Sequence, residues 1–275
     1  MASSSWIYDA TIYIYALSLL FYFSDFARQN KSAKRMGEGL LIFVWVLQTL
    51  FFIVRMVEHR YMPVYTMFEV LFFFSWLLVT ASLVISRFFR IDFIVFFVNV
   101  IGFAIFTLNI FSNLESIAPA RHGKVTDELL IVHSALAILS YAVFTISAIF
   151  AGMYLFLHYR LKSKKWTDKV RRFPSLVTME YYTNLTVVIG TPMLIMALAL
   201  GVMRIIVVGD WGQLLDMKVW TSIFVLAAYS YYLWFRAKSS RGGDQLAMWN
   251  LAAFGIIILN FAINFVSGFH GWNGA

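Results

Sequence analysis

Residues 209–220 read GDWGQLLDMKVW, a short polar stretch between two long apolar runs at about 179–208 and 217–236. Both runs meet the roughly 20 residues needed to cross a hydrocarbon core. Working outward from this loop, the same reading gives six further spans, at about 6–27, 39–58, 66–86, 91–111, 128–157 and 246–268. Lipid offers no hydrogen-bond partners to an open backbone, so every span must be helical. The fold expected is all-α: a polytopic bundle of about eight transmembrane helices forming a single integral membrane domain over 1–275.

Composition agrees with that reading and narrows the chemistry. With 61% hydrophobic and 13% charged residues, a water-soluble fold is excluded. The start, MASSSWIYDA, has no Lys or Arg ahead of the first apolar run and no small-residue cleavage site after it. A retained span is therefore expected there, and not a signal peptide. The chain has no cysteine, which removes disulfides, thiolate metal sites, iron–sulfur ligation and covalent C-x-x-C-H heme attachment.

Basic residues sort sharply between alternate connections. One set of loops holds sixteen, including Arg28, Lys31, Lys34, Arg35, Arg160, Lys162, Arg171, Arg172, Arg236 and Lys238; the other holds only Arg60, Arg121, Lys124 and Lys218. The richer set is expected to be cytoplasmic, which places both termini outside. The net charge of +8 then answers to topology and to the anionic inner leaflet, and no nucleic-acid partner is needed.

The same parity brings three distant places to one membrane level. His133 lies in the first turns of an inward-running span, His270 follows an outward-running one, and the 209–220 stretch joins the sixth span to the seventh. A b-type heme needs imidazole for its iron, flat apolar surface for the macrocycle, and cations or donors for two propionates. His133 and His270 could form a bis-His axial pair, and Trp211, Trp220, Phe269 and Trp272 could supply ring surface. Arg55 and Arg204 stand inside spans near their outer ends, where an arginine is costly without a partner; each is a candidate for a propionate or a carboxylate.

These residues have plainer uses too. Interfacial aromatics form belts, lone interfacial histidines are often only hydrogen-bonded, and the two arginines could snorkel to headgroups. Glu69 could cap the third span or pair with Arg55 or Arg204, and Asp216 could cap the seventh.

Four stretches carry a family resemblance. Trp211, Gly212, Asp216, Lys218 and Trp220 resemble a shortened form of the tryptophan-rich segment of the cytochrome c assembly family, the CcsA, CcmC and CcmF heme-handling proteins. Pro63, Glu69 and Trp76, in PVYTMFEVLFFFSW, are similar to that family's P…E…W pattern. HSALAILSYAVF from His133 and NFVSGFHGW around His270 match the segments that carry its external histidine ligands. The matches run in order over about 63–272. Leu214 and Leu215 stand where synthase members have further tryptophans, and no histidine lies deep in a span. With about eight spans and one weakened motif, the pattern most closely resembles the HemX group of Gram-positive bacteria.

That resemblance implies a multi-pass protein of the bacterial cell membrane, non-enzymatic, binding heme b non-covalently and lowering the abundance of glutamyl-tRNA reductase. The basic segment 158–178, HYRLKSKKWTDKVRRFPSLVT, would face the reductase or its protease machinery, although as a topology determinant on anionic lipid it needs no protein partner. Two alternatives stand beside this reading. One is a heme-handling accessory in cytochrome c maturation, the other a membrane b-type redox protein.

Overall fold

The structure, a computed structural model, describes residues 2–59, 62–89, 92–111, 124–164, 170, 173–238 and 242–263. Among the described residues are eight α-helices of 17 residues or more and two short 3-10 turns, at 109–111 and 211–215. In chain order the helices are α1 (Ala2–Arg28), α2 (Lys31–His59), α3 (Met67–Phe89), α4 (Asp92–Leu108), α5 (Lys124–Lys162), α6 (Leu176–Val208), α7 (Met217–Lys238) and α8 (Gly243–Ile263). Each expected span is met by one helix, and the chain is a polytopic helical membrane protein.

At α2 the start differs most, and a polar cap explains it. Helix α2 starts at Lys31 and not near 39, because Asn30 Oδ1 accepts from the Ser32 and Ala33 amides at 3.1 and 3.2 Å. The charged turns KSAKRMGEG thus extend the helix beyond its apolar part. Six described helices are long and apolar enough to cross a membrane, whereas the apolar part of α4, Phe93–Leu108, is shorter. Helix α7 falls below the same hydropathy because Tyr229, Tyr231, Tyr232, Arg236 and Lys238 interrupt its apolar run. The expected end of the last span, 264–268, lies outside the described residues.

The helices group into two compact units, Met1–Ala118 and Pro119–Ala275. In the first, α1 packs on α2 and α4, and α3 on the same two helices, an up-and-down ring. Apolar lipid gives helices no hydrophobic reason to associate, so buried polar bonds and close packing must hold them. Tyr15 donates to Asn99 Oδ1 at 2.9 Å, Ser18 to the Gly37 carbonyl at 2.9 Å, and Trp45 Nε1 to Thr80 Oγ1 at 2.9 Å.

The second unit repeats the ring: α5 packs on α6 and α8, and α7 on the same two. Its core holds Phe144, Val187, Leu194, Val225, Tyr229 and Ile257. The Phe144 and Tyr229 rings stack at 3.7 Å between centroids, 11° from parallel. Across the core Ser147 donates to the Thr183 carbonyl at 3.0 Å and itself accepts from Asn250 at 2.8 Å.

Candidate functional site

The loop at 209–216 sits at one end of the second unit, and its geometry follows from its residues. Gly209 ends α6 in the left-handed conformation, φ 77°, with its amide donating to the Ile205 carbonyl. The chain then makes the 3-10 turn Trp211–Leu215, braced by Gln213 Nε2 donating to Asp210 Oδ2 at 2.9 Å. Asp216 starts α7: its Oδ1 accepts from the Lys218 amide at 2.8 Å, and its carbonyl accepts from the Val219 amide at 3.1 Å. The capping use of Asp216 is therefore realised. Trp211 and Trp220 are 60% and 52% exposed, an open aromatic surface and not a closed slot.

His133, in the third turn of α5, meets α6 at this same end. Its Nδ1 lies 2.6 Å from the Ala197 carbonyl oxygen. A carbonyl can only accept, so Nδ1 carries the proton of the neutral ring and Nε2 keeps its lone pair. One turn on, Gly201 makes this approach possible: a Cβ there would fall 2.8 Å from His133 Cε1 and 3.0 Å from Nδ1. The imidazole thus rests on bare α6 backbone. Arg204 on α6 and Lys218 on α7 are near enough to the ring to act on it electrostatically.

Elsewhere in this unit a polar network joins the helices. Tyr141 donates to Asn260 Oδ1 at 3.1 Å, and Asn260 Nδ2 reaches Thr221 Oγ1 at 2.8 Å, Ser222 Oγ at 3.0 Å and the Lys218 carbonyl at 3.5 Å. One asparagine therefore ties α5, α7 and α8 together.

Arg55 and Glu69 belong to the first unit and answer to each other. Arg55 Nε donates to Glu69 Oε1 at 3.0 Å with both side chains buried, and the guanidinium lies 5.1 Å from the Phe68 ring centroid. Glu69 also caps α3: its Oε2 accepts from the Tyr65 and Thr66 amides at 3.0 and 3.1 Å, and its own amide donates to Thr66 Oγ1 at 3.2 Å. This is a reciprocal capping box, so Glu69 fills both of the uses expected of it. Trp76 of the same motif donates to Thr49 Oγ1 on α2 at 2.9 Å. His270, Phe269 and Trp272 lie outside the described residues.

Among the described residues no cluster of three or more His, Asp or Glu side chains could hold a bare metal ion. Sequence reading found His133, Arg204 and the loop; it missed Gly201, the Ala197 carbonyl and Tyr141. The available signal was the small-residue spacing in ALALGVMR, 197–204, which clears one face of α6.

Residues 64–270 match the family described as Cytochrome C assembly protein. The chain belongs to that family. Two relatives span nearly its whole length: a Brevibacillus brevis protein named Protein HemX, 42% identical over 99% of this chain and 100% of its own, and a Bacillus subtilis (strain 168) protein of the same name, 41% identical over 95% of each. Within the cytochrome c assembly family the chain is HemX-type, a multi-pass protein of the bacterial membrane. The family match begins one residue after Pro63 and ends at His270, so it takes in the capping box, His133 and the 209–220 loop together.

Proposed function

We propose that this protein binds heme b non-covalently at the His133 end of its second unit, on the extracytoplasmic side, and that occupancy lowers the abundance of glutamyl-tRNA reductase. The observation that carries the binding is the His133 imidazole. A metal-ligating histidine characteristically donates its second ring N–H to a carbonyl or carboxylate, which fixes the tautomer and raises the basicity of the ligating nitrogen. His133 has that arrangement, with Nδ1–H on Ala197 and Nε2 left to ligate.

His133 and, in this proposal, His270 would hold the heme, whose iron would supply the site for imidazole nitrogen. Arg204 faces the propionates. Trp211 and Trp220, exposed at the loop, cover the macrocycle. Arg55 and Glu69, satisfied by one another, hold the first unit's own loop.

The regulatory half rests on the HemX resemblance and on the charge of 158–178. A ligand shifts a two-state element only by its differential affinity for the two states. Helices α5 and α6 carry His133 and Gly201 at one end and flank the basic segment at the other, so tightening of their contact is the change the segment would feel.

The test is the visible absorption spectrum of the purified wild type beside His133→Ala and His270→Ala. The wild type is expected to show a low-spin Soret band that is lost or shifted in each variant; a band unchanged in both overturns the ligand assignment. The family match favours a second reading, a heme-handling accessory in cytochrome c maturation. Deleting the gene separates the two: a rise in reductase abundance supports regulation, and loss of covalent heme cytochromes with reductase unchanged supports the accessory role.

A further inference from the structure

At the α1–α2 hairpin of the first unit, where Asn30 caps α2, an open cleft of about 280 Å³ runs between the two helices. Its lining is divided by chemistry. Leu17, Leu20 and Phe21 form the wall on α1, Ala33 and Met36 the wall on α2, and Ser24, Asn30 and Ser32 gather at the hairpin end. From Leu17 to Ser24 is about 10 Å along the helix axis, so the cleft passes from apolar to polar within about two turns.

The rest of the hairpin packs tightly. Ser18, next to Leu17, spends its hydroxyl on the Gly37 carbonyl at 2.9 Å, and the Tyr22 ring lies close against Gly37. The cleft is thus a local opening on the other side of a sealed contact. Its volume is far above the roughly 30 Å³ that one water occupies in the liquid, and its apolar walls give water few partners.

Around the polar end stand cations. Arg28, Lys31 and Arg35 are exposed there, and Lys34 pairs with Glu38 at 3.8 Å. Asp25, on the same hairpin, is buried. The rim therefore presents a net positive field above hydroxyl and amide donors, with aliphatic and aromatic surface below them.

We infer that this cleft is a binding site for a single anionic phospholipid, its phosphate at Ser24, Asn30 and Ser32 under the three exposed cations, and one acyl chain along Leu17, Leu20 and Phe21. The polarity order is that of an amphiphile standing in a leaflet. A hydrophobic helix of another protein would leave the polar end and its cations unmatched, and a water-soluble anion would leave the apolar walls bare. Charge complementarity selects the anionic headgroup, because juxtamembrane cations gain from each negative lipid they approach.

The test is native mass spectrometry of the full-length protein in detergent, with phosphatidylglycerol and phosphatidylcholine of identical chains as probes. The wild type is expected to retain one phosphatidylglycerol about tenfold more strongly than phosphatidylcholine. Ser24→Trp, which fills the cleft, should abolish that retention while helicity and melting temperature stay at wild-type values. If it misfolds, Met36→Trp fills the cleft from the exposed opposite wall. The triple variant Arg28→Gln, Lys31→Gln, Arg35→Gln should keep the lipid and lose the headgroup preference. Equal retention of the two lipids by the wild type, or undiminished retention in a folded cleft-filling variant, overturns the site. A shift in oligomeric mass with Ser24→Trp would assign the cleft to a second copy of the chain and overturn it as well.

Discussion

At His133 the decisive partner is a backbone atom. The Ala197 carbonyl and the missing side chain at Gly201 define where the ring lies and which nitrogen it offers. In an ordinary helix interior, replacing Gly by Ala stabilises by about 1 kcal/mol. Here the added Cβ would sit under 3.0 Å from the imidazole, and overpacking of that kind costs about 1–3 kcal/mol, so strain wins. Gly201→Ala should lower the melting temperature, or push the ring off Ala197 and release the tautomer. Nitrogen-15 histidine spectra report the second outcome directly, and heme affinity should fall with either. Val202→Ala, at an exposed neighbouring position, should leave all three unchanged. The imidazole itself was legible in the sequence, because a histidine at the rim of an apolar run is conspicuous. Its orienting acceptor was not, since every residue carries a carbonyl and only the fold says which one is within reach.

Among the elements, the connection between α2 and α3 shows how one carboxylate can serve two ends. Glu69 neutralises Arg55 from a neighbouring helix and satisfies two amides at the start of its own. Removing one partner of a buried ion pair costs about 3–5 kcal/mol, because the other charge stays behind in a medium that cannot solvate it. Loss of the cap adds about 1 kcal/mol. Glu69→Ala should therefore destabilise strongly, while the double change Arg55→Met with Glu69→Leu should recover most of the loss. A thermal melt of the three proteins in one detergent checks this, and a double variant no more stable than the single would count against a paired-charge origin. The cap was readable from Thr66 and Glu69 three residues apart. The choice between Arg55 and Arg204 was not, because parity put both near the same level and only assembly of the first unit picks one.

The two units share more than a ring order. Asn109, just past α4, donates to the carbonyl of Phe68 at 2.9 Å, and Asn260, near the end of α8, reaches that of Lys218 at 3.5 Å. Phe68 and Lys218 are each the second residue of the third helix in their unit. Each unit is thus a four-crossing path closed by the same bond, and each returns the chain to the side from which it started. That closure, together with the sixteen-to-four division of loop cations, predicts which side the His133 end faces. The absence of native cysteine makes the prediction unusually clean to check, since one introduced thiol is the only label site in the chain. Leu215→Cys, in the exposed turn of the 209–220 loop, should react with a membrane-impermeant maleimide on intact cells. Ser163→Cys, exposed at the far end of α5, should react only after the membrane is opened. The reverse pattern would turn the protein over, set His133 and the loop against the cytoplasm, and leave the basic 158–178 segment facing away from any cytosolic reductase. The regulatory reading would then lose its geometry even if heme still bound.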